Sequence, residues 1–149
     1  MASSGALRLR AYGIELSTAF RRGYSFEEWF LAPPEDVRSS FQLEVAGTEF
    51  EVQGLELDWV GLCWGNDLHI SATKQWEFRR FTGKRWTHVR DDAKKQFMLN
   101  KYRVLLTRAR QGVVLWVPSG MAEDPTLDPR EFDAVYEYLG ECGVPELLP

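Results

Sequence analysis

EFEVQGLELDWVGLCWG, residues 49–65, changes character at its middle. Charged and apolar residues alternate from Glu49 to Val52. A Gln53-Gly54 pair follows, with Glu56 close behind, and from Asp58 to Trp64 the chain is almost wholly apolar. A short run of this kind, rich in Val and Trp, reads as a strand buried on both faces, as in a parallel sheet covered by helices. In open α/β sheets ligands bind on the loops at strand ends. A glycine on such a loop lets backbone N–H groups approach an anion, because no side chain intervenes. Gln53 can donate or accept a hydrogen bond beside it, and Glu56 can accept one from a sugar hydroxyl. The same residues also fit an ordinary turn with solvated charges, and spacing alone does not separate the two.

Working outward, VVLWV at 113–117 is a second run of the buried-strand type, and the loose alternation over 43–50 predicts a short third strand. Residues 33–40, PPEDVRSS, read as a loop. A helix is expected over 91–110, where Met98, Tyr102, Leu105 and Ala109 make one apolar stripe. Asp91 and Asp92 suit its start and Arg108 and Arg110 its end, with Gly112 as a stop. A second helix is expected over 129–141, with Pro129 in its first turn and Phe132, Val135, Tyr136 and Leu139 on its inner face. Strand, helix, strand, helix is the order of an open α/β domain.

The chain has 149 residues, 44% hydrophobic and 27% charged, which makes one globular domain with a core. A net charge of −4 excludes a protein that coats nucleic acid indiscriminately. Cys63 and Cys142 are the only cysteines and have no companions at zinc spacing; two free thiols fit a reducing cytoplasm. No stretch reads as a signal peptide or a membrane helix, so no membrane association is expected. His69 and His88 have no partner at catalytic spacing.

Residues 74–90, KQWEFRRFTGKRWTHVR, run against the overall charge: six Lys/Arg face one Glu, with four aromatics interleaved. Thr82-Gly83 marks the tip of a hairpin. Bases could stack on Trp76, Phe78 or Trp86 while Arg79, Arg80, Lys84 and Arg85 hold phosphates. The alternative is a hairpin whose aromatics pack on the domain and whose charges are solvated. Arg108 presents a similar choice: at the edge of the helix's packed face it could hold a phosphate with its planar fork, or simply complement the helix C-terminus.

QGLE followed about 50 residues later by LLTRAR resembles motifs V and VI of superfamily 1 helicases. The longer stretches EFEVQGLELDWVG and NKYRVLLTRARQG, with SSGALRLRAYGI, WFLAPPEDVRSS and WVPSG, resemble the Schlafen-group-3-like DNA/RNA helicase domain family over nearly the whole chain. The resemblance implies the second RecA-like domain of a helicase-like NTPase: an open, mainly parallel sheet flanked by helices, spanning 1–149 and beginning just after its first strand, with 74–90 as a basic insertion. It implies that Gln53 and Gly54 line the phosphate side of an ATP site, that Glu56 meets the ribose and that Arg108 is the arginine finger. Thr48 and Glu49 would lie on the nucleic-acid path or relay to it.

A motor also needs the GxxxxGK[ST] phosphate loop and a Mg²⁺-binding acid. The one Gly-Lys pair, Gly83-Lys84, has Phe78 where the upstream glycine would stand and Arg85 where Ser or Thr would follow. ATP and Mg²⁺ are therefore expected only with an N-terminal RecA-like partner domain that supplies these parts, and the nucleic acid could be DNA or RNA. The rival expectation is a free-standing binding module that kept the fold without motor activity.

Overall fold

A computed structural model describes residues 1–147. Its centre is a parallel pair, β1 (Leu57–Cys63) and β5 (Ala109–Trp116). Val60 and Leu62 of β1 stand beside Val113 and Leu115 of β5, and this face packs with Trp29, Val52 and Leu105 into the main core. Leu105 comes from α3 (Asp92–Leu106), the crossover helix that a parallel connection requires. On the other edge of β1, Ala2 bridges Cys63 in parallel, and the Ala2 N–H donates to Gly47 O at 3.0 Å. Two short helices, α1 (Thr18–Gly23) and α2 (Phe26–Leu31), lie in the connection that carries Trp29 into the core.

The sheet is less parallel than the sequence leads one to expect. Beside the parallel pair stands a three-stranded antiparallel sheet, β2 (Leu68–Ile70), β3 (Trp76–Thr82) and β4 (Arg85–His88). The domain is thus mixed α/β. The hairpin tip falls at Gly83, whose φ of +64° suits a residue without Cβ. The β1–β5 pair is also well buried on one face only; the opposite face is covered around Cys63, which packs on Ala2, Ala6, Leu9 and Leu16. Elsewhere on that opposite face, Trp59 is 67% exposed, and its ring occupies the space a side chain at residue 112 would need; hence glycine there. Tyr12 meets Trp116 edge-on at 5.4 Å on the β5 side.

Three local expectations are corrected. Residues 43–50 form no strand: the backbone turns at Leu43 (φ +58°), and Thr48 and Glu51 bond to each other's backbone and side chain instead of to a ladder. The helix expected over 91–110 stops at Leu106, where Thr107 Oγ1 donates back to Arg103 O at 2.8 Å. Ala109, assigned above to the helical stripe, faces the same core from the first position of β5. Arg110 likewise lies on β5, 4.0 Å from Asp58. Over 129–141, α4 (Pro129–Glu141) forms with the expected bounds, capped by Asp128, which accepts from the Arg130 N–H at 3.0 Å, but Tyr136, expected on its inner face, is 51% exposed, and Tyr138 packs inward instead.

The hairpin is fastened to the body at several points. Arg79, expected on a binding surface, is buried and makes a forked ion pair with Glu131 of α4, at 2.7 and 2.8 Å. The same guanidinium donates to Asn66 O and lies over the Trp86 ring. Trp76 stacks on Trp64 and meets Tyr138 edge-on, and the Trp86 indole N–H donates to Thr126 O at 2.8 Å. Both histidines flank one carboxylate: His69 Nε2 and His88 Nδ1 lie 3.4 and 3.7 Å from Glu77 Oε2. Burial first, and the Arg79 guanidinium second, hold the His69 pKa down at about 4.

A buried polar junction joins the parallel half. Lys101 of α3 is buried with its Nζ 3.2 Å from Ser3 Oγ and 3.7 Å from both Glu49 and Asp67. Asp67 accepts from Ser3 Oγ at 2.5 Å and from the Tyr102 hydroxyl at 2.7 Å. Glu49 accepts from the Ser4 N–H at 2.8 Å and from its hydroxyl. Removing the one cation leaves two buried carboxylates unbalanced, so Lys101→Met is expected to lower the unfolding free energy in urea by about 3–5 kcal/mol. The double variant with Glu49→Gln should recover part of that loss; a change in the single variant below about 1 kcal/mol would contradict it.

The histidine makes a second expectation. Unfolded His69 takes up its proton near pH 6.5, whereas the folded chain resists until about 4. The unfolded state therefore binds more protons between these values, and stability rises with pH across that window. Melting temperatures read from pH 5 to 6.5 should rise, and His69→Gln should flatten the rise; an equal slope in both proteins would count against it.

Candidate nucleotide-binding edge

The turn before β1 and the segment before β5 meet at the amino ends of the two strands. Leu57 pairs with Ala109, and the Leu57 N–H donates to Arg108 O at 3.0 Å. Arg108 follows the end of α3. Its Nε donates to Val104 O at 3.2 Å, and its Nη1 reaches across to Leu55 O at 3.4 Å. The arginine thus closes the last turn of the helix and at the same time grips the QGLE turn, 53 residues earlier in the chain. Among the described residues Arg108 Nη2 has no hydrogen-bond partner, and the side chain is half-buried at the edge.

Gly54 has φ +84°, and a Cβ built there would meet nothing within 4 Å. Its glycine answers to backbone conformation, not to crowding. Gln53, Gly54 and Glu56 are all exposed, so this edge presents an amide, open backbone and a carboxylate beside the half-buried guanidinium. A shallow hollow of about 490 Å³, lined by Ser25, Glu28, Leu31, Asp36 and Arg38 among others, lies elsewhere and includes none of these residues. The edge is an open surface, as one wall of a cleft would be. Among the described residues no group of three His, Cys, Asp or Glu side chains is placed to hold a metal ion.

The residues ahead of the turn are placed differently. Thr48 is fully buried and Glu49 nearly so. Thr48 binds Glu51, and the Arg21 guanidinium donates to Thr48 Oγ1 at 3.1 Å and to Glu51 Oε1 at 2.8 Å. Burial alone would raise the Glu51 pKa, but the Thr48 and Arg21 donors bring it below the ordinary value. Glu49 is taken up by Ser4 and Lys101. The group that the lead-in shows to solvent is instead Phe50, 54% exposed between these buried neighbours. Its position in the alternation of 49–52 was legible, but the inversion of inside and outside was not.

On the hairpin, Arg80, Lys84 and Arg85 are exposed, while Arg79 is buried and Trp76 half-buried. Phe78 packs with Trp64 and Tyr102, so its ring, like those of Trp76 and Trp86, is used by the domain. Only the cations of this segment face outward as a group. Lys101 and Arg21, which organise the junction and the lead-in, carried no sequence signal beyond their charge.

No curated protein and no solved structure matches the chain. Residues 2–119 match the family described as Schlafen group 3, DNA/RNA helicase domain, a span that includes the QGLE turn, the hairpin, α3, Arg108 and β5. No helix among the described residues is long and apolar enough to cross a membrane. With its motif-bearing segments joined at one edge and more than half its length matched, the chain belongs to the Schlafen group 3 DNA/RNA helicase domain family.

Proposed function

We propose that this chain is the C-terminal half of a superfamily 1 helicase-like ATPase. In this reading Gln53 and Gly54 line the phosphate side of an inter-domain ATP site, Glu56 accepts from the ribose, and Arg108 stabilises the transferring phosphate. ATP and Mg²⁺ are bound jointly with an N-terminal RecA-like domain that carries the phosphate loop. The observation that carries the reading is the grip of Arg108 on Leu55 O beside the Leu57 backbone bond. It joins two motifs at one open edge, and Nη2 remains to reach a phosphate oxygen by a planar fork.

For the nucleic acid, DNA or RNA, the hairpin supplies phosphate contacts through Arg80, Lys84 and Arg85. Its packed aromatics leave charge as the main term, so binding is salt-sensitive.

The site is tested by joining the chain to a phosphate-loop half of the same family and following phosphate release from Mg²⁺-ATP with single strands present. Arg108→Ala should lower kcat by about 10³-fold or more, as loss of an arginine finger does, and the chain alone should show no turnover. Because Arg108 also caps α3, the variant's melting temperature is read alongside. Turnover by the chain alone that vanishes in Arg108→Ala, or an undiminished kcat in the joined variant, would sink the assignment.

For the hairpin, charge reversal at Arg80 and Arg85 should weaken single-strand binding and lessen its salt slope by about 0.7 per lost phosphate contact. Trp76→Ala should lower the melting temperature instead. A binding loss in Trp76→Ala with unchanged melting would show that stacking on the hairpin matters after all.

A further inference from the structure

Phe50 is a large apolar side chain that folding does not use. Its neighbours Thr48 and Val52 are fully buried, and Glu49 is 6% exposed, while the Phe50 ring stands 54% in solvent. The backbone beneath it is fixed. The Glu51 and Val52 N–H groups both donate to Thr48 O at 3.1 Å, and Thr48 Oγ1 is bound to Glu51 and Arg21. The Arg21 guanidinium then lies over the Phe50 ring, 5.7 Å from its centroid. It is held there through Nη1, bonded to Thr48 and Glu51; its Nε is buried and has no partner among the described residues. A rigid turn thus carries an exposed ring backed by a cation, three residues before the exposed amide of Gln53.

We infer that Phe50 is a stacking platform for a nucleobase, with Arg21 as its backing. A flat aromatic ring accepts any base through its π face. The guanidinium behind it adds a cation–π contact and keeps the ring from turning inward. The shared chemistry is a base, which could belong to a free nucleotide or to a single strand. The inference rests on reading the adjacent Gln53-Gly54 turn as the nucleotide-binding edge, and its test does not depend on hydrolysis.

Two probes distinguish the sources: ATP without metal, followed by the shifts of its own adenine proton resonances, and a fluorescently labelled ten-nucleotide oligothymidylate, followed by anisotropy. Four proteins are compared: wild type, Phe50→Ala, Phe50→Trp and Phe41→Ala, the last removing another exposed ring, 70% open, on a separate loop. Phe50→Ala is expected to weaken at least one probe about tenfold, and Phe50→Trp to keep or tighten it. Phe41→Ala should stay within about twofold, with melting temperatures unchanged in all, since these rings lie at the surface. A loss for ATP alone assigns the base of a free nucleotide; a loss for the oligonucleotide alone assigns a strand. The platform is overturned if Phe50→Ala leaves both probes within about twofold, if Phe41→Ala loses as much, or if wild type binds neither probe at millimolar concentration. Arginine-dependent hydrolysis by the joined halves alongside any of these results would leave the ATP-site reading intact and remove the platform alone.

Discussion

One buried ammonium holds the parallel half of this domain together. Lys101 projects from α3 into a space closed by Ser3, Glu49 and Asp67, which belong to the segments leading from the first bridge, into the QGLE turn and out of β1. Two carboxylates with one lysine would be unfavourable in an apolar interior, and the surrounding donors offset this: the hydroxyls of Ser3, Ser4 and Tyr102 and the Ser4 N–H. Gly5 belongs to the same arrangement, because a side chain there would collide with Asp67. Burial and the neighbouring Asp67 carboxylate keep the Tyr102 phenol protonated, so it remains a donor.

From this junction α3 runs to the edge where Arg108 meets the QGLE turn. The helix therefore has a polar anchor near its middle and a second one just past its end, with Leu105 in the main core between them. Small shifts of the helix would be felt at Arg108, because the side chain spans the last helical turn and Leu55 O at once. The geometry makes the candidate edge a property of the packed domain. Neither the turn nor the arginine would hold its place alone.

The antiparallel sheet follows a different logic. The sequence allowed either a nucleic-acid arm or a hairpin whose aromatics pack on the domain, and the Arg79–Glu131 fork, the Trp76 stack and the Trp86–Thr126 bond fix it against the body, α4 and its preceding loop included. An arginine buried under a tryptophan ring and bonded to a carboxylate is a structural clamp. What remains on the outside is a short row of cations on a rigid support, in a chain whose net charge is −4. The physical consequence is a local positive patch with little freedom to adapt.

Local pattern was enough for the elements that depend on local pattern. Most of the apolar period of α3 and α4, the acids at the start of α3, Pro129 in the first turn of α4, the glycine at the hairpin tip and the two apolar runs of β1 and β5 could all be read from neighbours within a few residues. The resemblance carried by QGLE and LLTRAR also implied that Gln53, Gly54, Glu56 and Arg108 share one open face, and the structure joins the two motifs through the Arg108–Leu55 bond. Tertiary structure alone decided which polar residues go inside. Thr48, Glu49, Arg79 and Lys101 look like surface residues in the sequence because their partners are far away along it: 52 residues separate Arg79 from Glu131, and 98 separate Lys101 from Ser3. A charge becomes worth burying only when a distant segment brings the opposite charge and the missing hydrogen bonds. The same packing that takes Thr48 and Glu49 inward turns Phe50 out.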